Sequence, residues 1–341
     1  MIKLLHVGLG PLGKMIVLDA HRRGVAQVVA CVDIDPALAG MRLLDALPEL
    51  VDTPSGQAPI LASLDAVSDW KAFDAAVVST SSDLARCAPT LRAILGKGLP
   101  IVSTCEELLF PWLRHAALAA ELDVLAKQHG TGLVGTGVNP GFMMDALPVA
   151  LSAVCRNVRK VHVWRIQDAT PRRIPFQKKI GAGLDDAGFK ARIADGSLRH
   201  VGLGESLHFI AHCLGFEVAR WEETIEPVKA TRALESAIGP IPVGRASGVR
   251  QVARGWDKSG AEVVTLEFQA AIGQTDPMPH DRVRIEAEPV IDSRIEGGVH
   301  GDVATTAITL NAVRALLDTA RARPGLHTMA TMPMTYALRG G

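Results

Sequence analysis

The sequence predicts an α/β protein in which a Rossmann domain with a doubly wound parallel sheet precedes an α+β domain built on an open mixed sheet. Two observations carry this prediction. Early in the chain, short apolar runs alternate with segments of helical period, and the first run leads into a G-x-G-x-x-G motif. Beyond residue 141 the apolar residues alternate at strand period instead. A length of 341 residues is enough for two such domains.

The predicted elements follow the chain in order. The first sheet has strands at Ile2–Val7, Ala26–Val32, 75–79, Ile101–Ser103 and, as its sixth strand, Gly132–Gly135, with a helix at Leu84–Leu95. The second domain has a helix at 142–154 and strands at 158–165, 247–253, 263–271 and 281–287. A final helix at 303–322 packs back on the first domain. We therefore expect domains at 1–137 and 138–302, followed by a C-terminal helix and tail at 303–341.

The first candidate site lies between the first strand and its helix, where three glycines have the spacing of a dinucleotide-binding loop. Gly8 allows the tight turn, Gly10 lets the backbone approach a pyrophosphate, and Gly13 lets the helix pack closely on the strand. The helix N-terminus, with Pro11 and Leu12, then faces the phosphates. These residues predict a dinucleotide site.

An acidic residue follows the second strand, about 20 residues past the last glycine, where an acid can hold the ribose hydroxyls. Asp33 is the preferred ribose ligand, and Asp35 is the alternative because strand ends are predicted only to within a few residues. A carboxylate here accepts from both ribose hydroxyls but repels a 2′-phosphate, so NAD is expected to be preferred over NADP. Arg42 would offset this preference if the following loop folds back.

Small hydroxyl residues follow two further strands, at the edge where parallel strands face a nucleotide. Ser79, Thr80 and Ser81 are candidates for cofactor contact, as are Ser103 and Thr104. For Ser81 and its neighbour at position 82, turn and helix-cap chemistry is an equal alternative.

Two glutamates come directly after Thr104. Thr104 and Glu107 have the spacing of a capping box, in which each side chain bonds the backbone N–H of the other residue. This arrangement would give Glu107 a structural role. It leaves Glu106 at the carboxyl end of a parallel strand, beside the nicotinamide half of a bound dinucleotide. Glu106 is therefore the preferred catalytic acid or base.

Composition excludes several classes of function. Lys plus Arg and Asp plus Glu both total 36, which provides no basic field for nucleic acid. No uncharged apolar run reaches roughly 18 residues, and the start of the chain lacks signal-peptide features, so a cytoplasmic protein without membrane contact is expected. Five scattered cysteines without a C-x-x-C pair indicate reduced thiols. Tyr336 is the only tyrosine, and no lysine follows it, which excludes a Tyr-x-x-x-Lys dehydrogenase.

A loop of the second domain is rich in cations. Arg165, at the end of its predicted strand, is expected to point into the substrate cleft. The loop then has four cations within eight residues, which either bind an anion or form a solvated face: Arg172, Arg173, Lys178 and Lys179.

The histidines give one candidate ligand contact. His300 lies in a glycine-rich loop before the last helix, where it could reach a ligand; the alternative is a helix cap near Asp302. Glu205, His208 and His212 share a helical face, but the H-E-x-x-H zinc pattern is absent. No metal is therefore expected.

Three stretches of the sequence resemble one dehydrogenase family: GTGVNPGFMMDALP at 135–148, RIQDATPRRIPFQKKIGAG at 165–183 and GVHGDVATTAITLNA at 298–312. The chain resembles the 2,4-diaminopentanoate dehydrogenases and related amine dehydrogenases, whose fold is similar to that of dihydrodipicolinate reductase. The resemblance implies NAD(P)-dependent oxidative deamination of an amine, reversible as reductive amination of a ketone or aldehyde with ammonia.

The resemblance also implies roles for individual residues. In this family a glutamate after the fifth strand handles the amine proton; Glu106 is the matching position, and Glu107 is the alternative if the register differs by one. Asn139, Arg165 and His300 match positions that line the pocket, and Asn139 also matches a cofactor contact.

The chemistry explains the need for a carboxylate. An ammonium nitrogen has no lone pair to stabilise the iminium that forms as hydride leaves, so a nearby base must first take its proton. The expected partners are a small amine or ketone, ammonia and a second copy of the chain in a homodimer. The alternatives are an imine reductase of the dihydrodipicolinate reductase type and a nucleotide-sensing Rossmann protein without turnover.

Overall fold

The structure is a computed structural model that describes residues 1–333 and residue 337. The chain forms two compact units. Unit 1 contains residues 1–142 and the described residues from His300 onward, and unit 2 contains Met143–Val299. Tyr336 and the end of the predicted 303–341 segment lie outside the described residues. Across the described part, no helix is long and apolar enough to cross a membrane.

The strands and helices are numbered in chain order. The strands are β1 (Ile2–Val7), β2 (Ala26–Val32), β3 (Ile60–Leu61), β4 (Ala75–Val78), β5 (Ile101–Ser103), β6 (Gly132–Gly135), β7 (Arg156–Asp168), β8 (Arg220–Lys229), β9 (Ala246–Trp256), β10 (Glu262–Ala271), β11 (His280–Glu288), β12 (Ile291–Glu296) and β13 (Gly325–His327). The helices are α1 (Pro11–Arg22), α2 (Leu43–Ala46), α3 (Leu84–Leu95), α4 (Ala116–Gln128), α5 (Ala146–Leu151), α6 (Ile174–Lys179), α7 (Asp186–Ala194), α8 (Leu203–Leu214) and α9 (Gly301–Ala322).

Unit 1 is built on a parallel sheet whose described strands run in the order β13-β6-β5-β4-β1-β2-β3. Its central strands are mostly apolar because helices cover both faces. One face packs on α3 and α4, and α9 lies over β4, β5 and β6 beside α1. The predicted Rossmann sheet is confirmed, and Gly132–Gly135 is its sixth strand in chain order. The edge strands β3 and β13, of two and three residues, were not predicted.

Unit 2 contains a mixed sheet in the order β12-β11-β7-β10-β9-β8. Only the β7–β10 pair is parallel among these neighbours; the other pairs are antiparallel. Helix α8 packs on β9 and β10, whose residues are mostly buried, whereas the edge strand β8 alternates between exposed and half-buried positions. The predicted open mixed sheet is confirmed, and β8 and β12 extend it on either side.

Two predicted element boundaries in unit 2 are wrong. The helix expected at 142–154 is only α5, Ala146–Leu151, because the Asp145 carboxylate accepts from the N–H of Ala146 and caps the helix there (2.6 Å). The strand expected to end at Arg165 continues to Asp168 as β7. Arg165 therefore lies inside the strand, paired with Asp281 of β11.

Candidate active site

The candidate cofactor residues of unit 1 lie along one edge of its parallel sheet. In the strand register, Val7, Val78, Ser103 and Gly135 are neighbours at the ends of β1, β4, β5 and β6. The residues that follow these four strands therefore emerge side by side. The chain reverses its direction of winding between β1 and β4, which is the position where sheets of this type bind ligands.

The glycine loop fits a dinucleotide. Gly8 has a φ of +98°, and a Cβ there would lie 2.8 Å from the Ser79 carbonyl oxygen. A Cβ at Gly13 would lie 1.9 Å from the Gly8 oxygen, whereas a Cβ at Gly10 would meet nothing within 4 Å. Gly10 caps α1, and Pro11 is its first residue, so the open side of the loop presents the N–H groups of the first turn. This geometry suits a pyrophosphate.

The Asp33 carboxylate lies directly over the glycine loop. Its Oδ2 accepts from the N–H of Leu9 (2.5 Å), and its Oδ1 accepts from the N–H of Asp35 (2.8 Å). The carboxylate is half-exposed and keeps lone pairs for the hydroxyls of a ribose. Asp35 instead uses its carboxylate to accept from the N–H of Ala37 (2.9 Å), within its own turn.

The small hydroxyl residues differ in what their side chains do. The Ser79 hydroxyl donates to the Gly8 carbonyl (3.0 Å), and Thr80 is exposed. The Ser81 hydroxyl accepts from the N–H of Asp83 (3.1 Å), which is the turn chemistry expected as its alternative. Ser103 is fully buried and bonds the Val78 carbonyl (3.2 Å) and the N–H of Cys105 (3.1 Å), so its side chain stabilises the strand end.

The predicted capping box at Thr104 and Glu107 is wrong. The N–H of Thr104 donates to the carbonyl of Val78, and the N–H of Glu107 donates to the carbonyl of Ser82. The Glu107 carboxylate instead accepts from the N–H of Leu84 at the start of α3 and bonds the His115 ring, both at 2.9 Å. Glu107 thus has a structural contact, but with two distant elements instead of its own turn.

Glu106 begins a short 3-10 turn, Glu106–Leu109, directly after β5. It is half-buried between the buried residues Cys105 and Leu108. Since β5 is two strands from β1, and neighbouring strands are about 4.8 Å apart, Glu106 follows a strand end about 10 Å from that of the glycine loop. This is the side of the edge on which a carboxylate could act near a nicotinamide.

Asn139 lies in a compact loop that follows β6. A cis peptide bond joins it to Pro140, and a Cβ at Gly141 would lie 2.2 Å from the nitrogen of Gly137. The N–H of Val138 donates to the hydroxyl of Thr305 in α9 (3.2 Å), which fixes the loop within unit 1. Asn139 itself is half-buried.

In unit 2, Arg165 is part of a buried ion pair. Its Nη1 lies 2.7 and 2.8 Å from the two carboxylate oxygens of Asp281, and each residue is no more than 3% exposed. Its Nη2 donates to the carbonyl of Val299 (2.9 Å), whose N–H donates back to Asp281 (2.7 Å). Burial lowers the pKa of Arg165, and the charge of Asp281 opposes this shift. The guanidinium thus anchors the loop that leads to His300.

The cation-rich loop after β7 is organised by a residue that carries no charge. The Gln177 side chain is fully buried; the two hydrogens of its amide nitrogen are shared among the carbonyls of Ala169, Thr170 and Arg172, and its oxygen accepts from the N–H of Ala237. Lys178 is exposed, whereas Arg173 and Lys179 are half-buried.

His300 is the N-cap residue of α9. Its Nδ1 accepts from the N–H of Val303 at 3.4 Å, and the residue is exposed. The helix cap expected near Asp302 as the alternative is therefore made by His300 itself. In the described residues, no group of three His, Cys, Asp or Glu side chains could hold a metal ion.

A family model described as 2,4-diaminopentanoate dehydrogenase C-terminal domain matches residues 142–341, more than half of the chain. The chain belongs to this family. The 2,4-diaminopentanoate dehydrogenase of Acetoanaerobium sticklandii is 27% identical over 99% of this chain and 95% of its own length. The amine dehydrogenase of Streptomyces virginiae is 24% identical over 99% and 98%. The solved amine dehydrogenase of Mycobacterium smegmatis superposes with a TM-score of 0.83 at 21% identity, over 99% and 97%.

Membership of the diaminopentanoate dehydrogenase family confirms the resemblance found in the sequence. Three residues that contact predicted site residues were not predicted themselves: His6 contacts Ser79, His115 contacts Glu107, and Asp281 contacts Arg165. The sequence contains a signal for Asp281, because this residue lies on the same buried face of its strand as Val283 and Ile285. His6 is likewise a polar residue inside an otherwise apolar run, IKLLHV.

Proposed function

We propose that the protein is an NAD(P)-dependent amine dehydrogenase, which converts a primary amine and water to a ketone or aldehyde and ammonia and can run in reverse as a reductive amination. One observation carries the proposal: Glu106 follows β5 on the same sheet edge as the glycine loop, in a chain of the diaminopentanoate dehydrogenase family. The bound nicotinamide would supply the hydride acceptor.

Residues of this chain would bind the cofactor and substrate and transfer the protons. The glycine loop and the α1 N-terminus bind the pyrophosphate, and Asp33 binds the ribose. Glu106 takes the proton of the substrate ammonium, which gives the nitrogen the lone pair that hydride loss requires. After that proton has passed to solvent, the same carboxylate would take a proton from the attacking water and return it to the nitrogen as ammonia leaves. Asn139 and His300 are proposed to contact the substrate.

The proposal is tested with purified protein, NAD+ or NADP+ and a panel of primary amines at alkaline pH, with 2,4-diaminopentanoate among them. We expect reduced cofactor and ammonium to form in equal amounts, and the reverse reaction to need ammonium. Reduction of a cyclic imine dicarboxylate without amine turnover would favour the imine reductase. Cofactor binding with no turnover of any substrate would favour a nucleotide sensor.

We further propose that NAD is preferred over NADP. The Asp33 carboxylate, held by Leu9 and Asp35, would meet the 2′-phosphate of NADP with like charge. Arg42 would have to offset this repulsion, but it is exposed and paired with Asp45 (3.1 Å). We expect kcat/KM to be at least about tenfold higher with NAD, since like-charge contacts of this kind are strongly unfavourable.

The matched variants are Asp33→Asn and Asp35→Asn. Asp33→Asn keeps an oxygen for the N–H of Leu9 but removes the charge. The ratio of kcat/KM with NAD to kcat/KM with NADP should therefore fall. Asp35→Asn should leave the ratio unchanged, because its carboxylate bonds its own turn. A clear preference for NADP in the unmodified protein, or a change confined to Asp35→Asn, would reject the assignment of Asp33.

A further inference from the structure

His6 is a fully buried histidine of β1, two residues before the turn at Gly8. Its Nε2 lies 3.0 Å from the carbonyl oxygen of Gly8. Because a carbonyl can only accept, the ring must carry its hydrogen on Nε2. Its Nδ1 is buried and has no hydrogen-bond partner in the described structure. Burial lowers the pKa of His6 to about 4, so the ring is neutral at physiological pH and donates one hydrogen bond.

A second donor reaches the same carbonyl from the neighbouring strand. The hydroxyl of Ser79, which follows β4, lies 3.0 Å from the Gly8 oxygen and 3.3 Å from His6 Nε2. Two donors from adjacent strands therefore converge on one acceptor and can fill both of its lone pairs. The Gly8 N–H is also fixed, since it donates to the carbonyl of Val32 (2.9 Å).

The direction of this carbonyl matters for an anionic ligand. A carbonyl oxygen carries partial negative charge, so one that faced the pyrophosphate would oppose the N–H groups of the α1 N-terminus. Turned inward, the oxygen lies against Gly13, whose Cβ would be only 1.9 Å away. An inward carbonyl is removed from water and is costly unless it is hydrogen-bonded. His6 and Ser79 supply those bonds.

We propose that His6 is a positioning residue for the cofactor: together with Ser79 it holds the Gly8 carbonyl inward, so that the glycine loop presents only N–H groups to the pyrophosphate. The inference rests on the proposed use of NAD(P). Neither residue need touch the dinucleotide for this effect. It also accounts for a polar side chain at a fully buried position of an apolar strand.

The test compares His6→Leu with His6→Gln by direct titration of NADH, and Tm is measured without cofactor. Leu fills the volume without a donor, whereas the Gln amide nitrogen can take the place of His Nε2. We expect His6→Leu to raise the NADH Kd and the KM for NAD on the order of tenfold, because a change of this size corresponds to the loss of one hydrogen bond. Its kcat at saturating cofactor should change little, and His6→Gln should restore most of the affinity.

Ser79→Ala is the second variant, and it remains informative if His6→Leu does not fold. It removes the other donor with little change in volume, and it should also weaken NADH binding. Unchanged NADH affinity in Ser79→Ala would overturn the proposal, as would equal weakening by His6→Leu and His6→Gln. A fall in Tm at unchanged NADH affinity in His6→Leu would assign His6 to packing alone. If the unmodified protein does not bind NADH, the proposed cofactor use fails together with this inference.

Discussion

Glu106→Gln should lower kcat for amine deamination on the order of a hundredfold or more, since general-base catalysis contributes at least that much. Gln preserves the size of the side chain and its ability to hydrogen-bond, but it cannot take the proton of the substrate ammonium. Because Glu106 lies two strands from the glycine loop, NADH affinity should remain close to that of the unmodified protein. Steady-state rates across pH, with NADH titrations alongside, measure both quantities.

Glu107→Gln is the matched control. The Glu107 carboxylate joins the start of α3 to His115, and a Gln oxygen can keep only part of this contact. We therefore expect a lower Tm with most of the activity retained. Near-normal turnover by Glu106→Gln together with an inactive, NADH-binding Glu107→Gln would reverse the two roles. If both variants are active, the base lies elsewhere, and His300 is the next residue to test.

Arg165→Ala or Asp281→Ala should reduce the free energy of unfolding by about 3–5 kcal/mol, because each leaves one buried charge without its partner. The backbone of Val299, bonded by both side chains, also loses a partner in each variant. Chemical unfolding at fixed pH measures the effect. Lys178→Ala, in α6 of the same unit, is the control; its side chain is exposed, and its effect should stay within about 0.5 kcal/mol.

The double variant Arg165→Met/Asp281→Leu distinguishes two causes of the loss of stability: a buried charge without its partner, and the loss of packing. Removing both charges eliminates the uncompensated ion, so the double variant should be more stable than either single variant. It should not recover fully, since the Val299 groups stay unsatisfied. A double variant whose loss equals the sum of the two single losses would contradict this account, as would an Arg165→Ala variant that unfolds like the parent.

The sequence was most informative where structure is decided locally. The turn at Gly8 and the close packing at Gly13 depend on backbone geometry within a dozen residues, so their spacing alone predicts them. Strands β1 and β2 were likewise predicted to the residue, because both are apolar runs with clear ends. The three-residue β13 was missed because so short a run carries no periodicity.

Contacts between side chains that are far apart in the sequence could not be predicted from it. Glu107 satisfies a local capping pattern, yet its carboxylate bonds a residue 23 positions earlier, and only the tertiary structure supplies that N–H. Arg165 and Asp281 are 116 positions apart, so their pairing depends on the register of β7 with β11. The prediction that Arg165 faces the cleft depends on a strand end at that residue; β7 continues to Asp168, and the Arg165 guanidinium lies among buried partners.

The central claim is that this chain moves hydride from the carbon that bears an amine to a nicotinamide, with Glu106 as the base. The most direct measurement uses an amine deuterated at that carbon, NAD+ and the purified protein, followed by mass analysis of the NADH and an ammonium assay. The account predicts one deuterium in each NADH, one ammonium released per NADH, and formation of both products slowed on the order of a hundredfold or more in Glu106→Gln. NADH without deuterium, NADH without ammonium, or product formation by Glu106→Gln at the unmodified rate would contradict it.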